Sequence, residues 1–384
     1  MRAGHQELVT RRNYHSMVGA HLSKHCSDVE LLDGKGNDDG VLWSNRLCGN
    51  AGDETARAGA GTSADTGAQT EGVARPRAAE PADSNETAFT ARMRQHQSWY
   101  REVVLQLPPG TGPHRFSTTV RGSMLRPEHA QQGRNFLTPE VYRVAQERLR
   151  RGARNVESFR LLHNMLSSQP MCFNLFAPLR HDLELATLLL RATPELGVDR
   201  VTAVDIEFAP RPVEEYLADG TSFDAYIEYT HCDGSRAFLG IETKLTDGFS
   251  RTVCDTPAYR RWMQGSRNPW LPSAALRVAD ASHNQLWRDH LLAIAMRDHP
   301  SQRYRHGALM LVRHPLDQRG AESARDYRRL LRDGDTSFLD MPMDQLVGRW
   351  RTALGSDDRS SWLRSFEERY LELTKSREFA DEHA

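Results

Sequence analysis

Residues 223–245 constrain the fold of this chain more than any other stretch. Two alternating runs, 223–230 and 237–245, flank Cys232-Asp233-Gly234-Ser235. Alternation of apolar and polar residues marks strands, and an Asp-Gly pair between two such runs marks a hairpin. Turn length then decides the register. A two-residue turn sets Cys232 opposite Ser235 and Asp224 opposite Thr243, pairing polar positions with apolar ones on both faces. A three-residue loop, Cys232-Asp233-Gly234 with Gly234 left-handed, sets His231 opposite Ser235. Phe223, Ala225, Ile227 and Tyr229 then line up with Thr243, Ile241, Leu239 and Ala237 on one mostly apolar face. The other face carries Asp224, Tyr226 and Glu228 against Glu242, Gly240 and Phe238. The second register packs better and is the one expected.

That register sets Asp224 beside Glu242, with Lys244 two residues on and on the same face. Two adjacent carboxylates repel unless a cation lies between them. Hard oxygen ligands with an incomplete shell suit Mg²⁺, which keeps waters and takes its remaining ligands from phosphate. A metal held there can generate hydroxide and stabilise charge on a phosphoryl group. A lysine alongside would orient or deprotonate the attacking water, or stabilise the phosphorane-like state. The competing reading is an exposed sheet face on which Lys244 bridges both acids. Lys244 stands out in another way. Of 50 basic residues only Lys24, Lys35, Lys244 and Lys375 are lysines. Arginine does not readily give up a proton, whereas a lysine can be tuned to do so.

The surrounding chain limits what this hairpin can belong to. Residues 34–90 are rich in Gly, Ala, Asp, Thr and Ser with no apolar period, so the segment 1–90 reads as a disordered tail, with a short helix expected around 18–32. Beyond it, helices are expected at 91–107, 140–151, 155–166 and 181–192, then strands at 201–208, 223–230 and 237–245. An irregular insertion at 246–280, a helix at 284–296 and a strand at 308–312 follow. The remainder reads as a helix at 321–332, a strand at 337–340, and helices at 343–354 and 360–374. This is a single α/β domain with a mixed sheet. The longest apolar runs, 188–190 and 291–296, are far too short to span a membrane. The first thirty residues lack the apolar stretch of a secretory leader. Five cysteines without a CxxC fit a reducing cytoplasm better than a disulfide scaffold or zinc ribbon, and the histidines show no ligand spacing. The tail holds 9 basic and 13 acidic residues, leaving 41 and 38 for the body, so no global basic excess points to nucleic acid.

Asp224, followed by Glu242-Thr243-Lys244 at the end of the next strand, resembles the D…ExK signature of the PD-(D/E)XK nuclease superfamily. The helix–strand–strand–strand–helix–strand order from Glu184 to Val312 resembles that superfamily's αβββαβ core. The segments SFDAYIEY, FLGIETKLTD and QLWRDHLL are similar to a bacterial nuclease-like branch of it. One departure is Phe223, which stands where the motif's proline would be. The resemblance implies a restriction-endonuclease-like α/β fold, a mixed central sheet flanked by helices with N- and C-terminal helical additions. The layout would be a tail at 1–90, a helical part at 91–170, the nuclease-like core at 171–345 and C-terminal helices at 346–384.

The resemblance also implies metal-dependent hydrolysis of phosphodiester bonds, most simply in DNA. Asp224 and Glu242 would ligate Mg²⁺, with Mn²⁺ as substitute, and Lys244 would assist the water. Glu184, on the helix before the first strand, and Gln285, opening the helix after the motif, would be supporting residues. Each also has a plainer reading, Glu184 as a first-turn acid favoured by the helix dipole and Gln285 as a helix-start polar group. Arg288 and His290 would touch phosphate or simply pack, Glu207 would face the site or alternate outward, and Trp287 belongs to the core. The alternative function is a catalytically silent protein that binds nucleic acid or a partner on the same fold; the unbroken Asp/Glu/Lys set favours the nuclease. No zinc finger or helix-turn-helix is visible, so sequence specificity would fall to the insertion at 246–280 or the helices at 91–166. A homodimer would let two sites cut both strands.

Overall fold

The computed structural model describes residues 86–152 and 156–382. Residues 1–85 of the disordered tail expected at 1–90, with its short helix at 18–32, lie outside them, whereas residues 88–90 open the first helix instead of belonging to a tail. Thr87 caps α1 (Ala88–Trp99) by accepting from the Thr90 N–H, and the chain continues through a π-helical turn at Tyr100–Val104. Pro109 and Gly110 do more than stop this helix, because β1 (Pro109–Thr111) pairs antiparallel with β2 (Val120–Leu125). α2 (Pro127–Gln131) and α3 (Pro139–Arg150) follow, the latter capped by Thr138.

The helix expected at 155–166 is shorter, and a second helix that the sequence did not suggest follows it. α4 (Ser158–His163) stops where Asn164 leaves to bridge Met124, and α5 (Ser168–Phe176) starts at the Ser167 cap. Pro170 falls in the first turn of α5, where a missing N–H breaks no helical bond. Asp182 caps α6 (Leu183–Arg191).

β3 (Val198–Phe208), β4 (Phe223–His231) and β5 (Arg236–Lys244) form an antiparallel meander. The stretch expected to be irregular contains α7 (Pro257–Met263), started by Thr256. α8 (Asn284–Arg297) then crosses over so that β6 (His306–Arg313) pairs parallel to β5. α9 (Gln318–Arg328) leads to β7 (Phe338–Pro342), parallel to β6, and α10 (Met343–Leu354), α11 (Ser361–Tyr370) and α12 (Thr374–Glu382) close the chain. The sheet order is β3-β4-β5-β6-β7, the mixed α/β sheet that the sequence implied. Among the described residues no helix is long and apolar enough to cross a membrane.

Helices cover both faces of the sheet. On one face Ala225, Ile227, Leu239, Ile241 and Met310 pack with α3, α5, α6, α10 and α11. On the other, Tyr226, Phe238, Leu309 and Phe338 pack with α7, α8 and α9 around Trp270 and Trp287. Coverage on both sides is why β5 and β6 read as nearly continuous buried runs rather than alternating ones.

The hairpin has the three-residue register. Ala225 faces Ile241, Ile227 faces Leu239 and Tyr229 faces Ala237. Gly234 has φ +82° and its N–H donates to His231 O at 2.8 Å, while the His231 N–H donates to Ser235 O at 2.8 Å. His231, Asp233 and His306 brace this end of the sheet. Asp233 takes the Ser235 N–H at 2.9 Å and lies 2.9 Å from His306 Nε2, and its own N–H donates to His231 Nδ1 at 3.2 Å. The two imidazoles stack with centroids 4.0 Å apart and planes inclined by 27°, and with Asp233 they form a His/Asp/His cluster whose ligand atoms lie within 4.8 Å of one another.

At the other end the alternation breaks. Phe223 was expected on the apolar face with Ala225, but its ring lies over Gly240 in the second core with Tyr226 and Phe238. Ladder pairing stops at Ala225, and Asp224 turns instead to Thr243. A Cβ on residue 240 would lie 2.5 Å from the Phe223 ring. That ring is fully buried and has no room to retreat. Gly240→Ala is therefore expected to destabilise the fold by about 1–3 kcal/mol, the usual cost of overpacking. Denaturant unfolding of the variant beside wild type checks it, and an unchanged midpoint would contradict the packing described.

Candidate active site

The disrupted end of the hairpin opens into a cavity of about 410 Å³. Asp224 reaches it from the start of β4 and Glu242 from the end of β5; Glu207 from the end of β3 and Asp289 from α8 also line it. Thr243 orients Asp224, its N–H and Oγ1 donating to Asp224 Oδ2 at 2.8 and 2.7 Å. Lys244 Nζ lies 3.0 Å from Glu242 Oε1 and donates to Gln285 Oε1 at 3.2 Å. Gln285 returns the contact, Nε2 donating to Glu242 Oε1 at 2.7 Å, and Ser250 N–H holds the same glutamine oxygen at 2.7 Å. The ammonium also sits over the Phe249 ring at 4.9 Å. Just beyond Lys244, Asp247 accepts from Arg160 of α4 and from the Ser168 N–H of α5, both at 2.7 Å, and Thr246 Oγ1 donates to Leu166 O at 3.0 Å.

Burial governs the electrostatics. It raises Asp224 despite the Thr243 hydrogen bonds and the nearby Lys244 charge. Burial, with Asp224 alongside, pushes Glu242 up to about 7. Glu207 and Asp289 are raised well above the carboxylate range, first by burial, then by repulsion from Asp224 in the one case and Glu242 in the other. Burial alone would lower Lys244, but Glu242 and Asp224 outweigh it and hold it above the ordinary lysine value. Hard carboxylate oxygens grouped in one cavity and made costly to ionise chiefly by burial are chemically suited to a divalent cation.

A family model of the PD-(D/E)XK nuclease superfamily matches residues 83–372. The chain belongs to that superfamily. No curated protein and no solved structure matches it. PD-(D/E)XK proteins are in general hydrolytic nucleases and typically use divalent metals. The match runs well beyond 171–345 on both sides, taking in α1 through α11.

Against that family frame, Asp224, Glu242, Lys244 and Gln285 come together and Glu184 does not. Glu184 is exposed in the first turn of α6, the plainer of its two readings, and lies off the cavity. The helix that reaches the cavity is the preceding one, and it brings Gln169. Arg288 lines the cavity, near Thr221 Oγ1 at 3.5 Å and Cys254 Sγ at 3.9 Å. His290 turns away, buried between Tyr327 and Ser337 at 2.9 and 2.8 Å, and Trp287 is core as expected.

Glu207 faces the site by a local device. Its φ of +55° is left-handed, a conformation that costs a non-glycine residue about 1–3 kcal/mol. Asp289 went unremarked in the sequence, although it falls four residues after Gln285 and so on the same helix face.

The raised Glu242 pKa gives a signed prediction. In metal-free protein Glu242 holds its proton up to about 7 when folded and to about 4.5 when unfolded. The folded state thus binds more protons between those values, and this group's contribution to stability falls as pH rises through that window. His96, His290 and His314, lowered by burial, act oppositely below about 6.5. The comparison with Glu242→Gln removes that background. With EDTA present, the variant is expected to gain in melting temperature on wild type from pH 5 to pH 8. A difference that stays flat with pH would refute the buried charge.

Proposed function

We propose that this protein is a metal-dependent nuclease that hydrolyses phosphodiester bonds in DNA. The observation that carries the reading is the meeting of Asp224 and Glu242 in one cavity, with Lys244 Nζ 3.0 Å from Glu242 Oε1, on the fold of a nuclease superfamily. Asp224 and Glu242 are the residues that would hold the cation, Mg²⁺ or Mn²⁺. When bound, it supplies a nucleophilic hydroxide and neutralises phosphoryl charge.

The chain's own contributions follow from the geometry. Thr243 fixes the direction of the Asp224 carboxylate through two hydrogen bonds. Gln285 holds Lys244 and Glu242 in one arrangement, so neither rotates away from the cavity. Lys244 is held protonated by the acids beside it, which favours an ammonium that orients water and steadies the phosphorane-like charge over a free base. Arg288, half-buried at the cavity wall, supplies a second positive charge for the phosphate. A cytoplasmic setting agrees with the free thiols at Cys172, Cys232 and Cys254. A second copy would bring a second site to the opposite strand.

Plasmid, linear and single-stranded DNA incubated with Mg²⁺ or Mn²⁺ test the reading. Wild type is expected to cleave only with metal, and Lys244→Ala and Asp224→Asn to lose activity by at least about 100-fold, the scale of a lost acid–base or charge-stabilising group. No cleavage of any of these DNAs, with no metal binding by calorimetry, would shift the weight to a binding protein on a nuclease fold.

A further inference from the structure

We infer that His231, Asp233 and His306 form a cation site of their own, at the turn end of the hairpin, for a nitrogen-binding divalent ion of the Zn²⁺ class. It is separate from the cavity: seven residues of β4 lie between Asp224 and His231, about 25 Å of extended chain.

The three side chains come from stretches far apart in sequence. His231 ends β4, Asp233 sits in the turn, and His306 opens β6, which pairs with β5 at Ala237. Spacing along the chain therefore hides the group. One ring nitrogen of each histidine and a carboxylate oxygen of Asp233 all lie within 4.8 Å of one another. His306 Nε2 is 2.9 Å from Asp233 Oδ2, and His231 Nδ1 is 3.0 Å from Asp233 Oδ1. Nitrogen and oxygen ligands around a tetrahedral ion sit about 3.4 Å apart, so these two pairs need shifts of only about half an ångström to close on one.

The surroundings set the donors in place. The His231 ring lies against Gly197, where a Cβ would collide with Nε2, so Nδ1 is the atom turned to Asp233. Ser235 donates its N–H and its hydroxyl to Asp233 Oδ1 at 2.9 and 2.5 Å, which orients the carboxylate. Hydrogen bonds alone leave the group in conflict. His231 Nδ1 has the Asp233 N–H at 3.2 Å and Asp233 Oδ1 at 3.0 Å. A bare Nδ1 accepts from the amide but sets its lone pair against the carboxylate; a protonated one reaches the carboxylate but meets the amide hydrogen. A cation between the lone pair and the carboxylate removes the conflict. Arg305 does not serve, since its exposed guanidinium comes only to 3.7 Å from Asp233 Oδ2. Two imidazoles select zinc and its first-row neighbours over Mg²⁺, which prefers oxygen throughout. Cys232 Sγ, 3.7 Å from His231 Nδ1, falls outside the group of three and leaves the fourth position to water. Such an ion would pin the hairpin turn to the strand that returns from the α8 crossover. The competing explanation is a hydrogen-bonded brace that takes no ion.

Glutamine at position 306 keeps a donor for Asp233 and loses the imidazole, so His306→Gln separates the two. Full-length wild type, His306→Gln, Asp233→Asn and Asp224→Asn, stripped of metal, would be titrated with Zn²⁺ by calorimetry in excess Mg²⁺ and melted with and without Zn²⁺. Co²⁺ in place of Zn²⁺ reports the ligand geometry through its visible absorption. Wild type and Asp224→Asn are expected to take up one tight Zn²⁺, to melt higher with it, and to show the strong visible band of tetrahedral Co²⁺. In His306→Gln and Asp233→Asn the affinity falls at least about tenfold, a scale that even outer-shell losses reach, and the band and the rise in melting temperature disappear. Unchanged Zn²⁺ affinity in either variant, folded, would overturn the inference. So would Zn²⁺ uptake that Asp224→Asn abolishes, which would put the ion in the cavity instead. The nuclease reading is tested separately by DNA cleavage and survives either of these failures.

Discussion

Glu207, Asp224, Glu242 and Asp289 share one cavity, and burial makes each of them harder to ionise. Among the described residues, the ammonium of Lys244, the guanidinium of Arg288 and, toward Glu207, that of Arg148 are positive charges close by. A cavity so loaded is poorly stabilised when all its acids are charged and much better when a cation enters. On the proposed reading, the energy stored as desolvated, crowded carboxylate would become binding energy for metal. This is the usual exchange of stability for function, with the cost placed where the chemistry occurs.

The rest of the fold supplies the rigidity that lets the cavity carry that load. Helices pack both faces of the sheet, so β4 and β5 cannot slip by one residue without turning Ala225, Ile227, Leu239 and Ile241 out of the core. Gly234 sets the register at one end of the hairpin, and it determines which residues meet at the other end, eight to ten residues away. There the ladder lets go, and Phe223 drops over Gly240 while Asp224 swings to Thr243. The side chains that would continue the pairing are thereby released to the cavity.

Much of this could be read from residue order. Turn chemistry and the parity of the strands gave the register, and with it the company of Asp224, Glu242 and Lys244. Gln285 followed from its place at the start of α8. The failures have physical causes. No helix was expected between 166 and 181, yet Ser167 and Pro170 start α5 there, so the helix that reaches the cavity was missed and Glu184 of the next helix was credited in its place. Glu207 faces inward only because its backbone is left-handed, and nothing in a run of Val, Asp, Ile and Glu announces that. Phe223 follows the shape of Gly240 rather than its own parity. In each case a tertiary contact overrode a local rule.

Asp247 joins parts that the sequence suggested were separable. Its two carboxylate oxygens tie the segment just beyond Lys244 to Arg160 of α4 and to the first amide of α5. A fragment begun at residue 171 would lose both anchors, and Gln169 from the cavity wall with them. The helices ahead of the sheet are therefore part of the framework of the proposed site, not an appendage to it. The span that the family model matches, from α1 to α11, is also the span these anchors tie together, so the signature strands cut out by themselves would lack supports that hold the site.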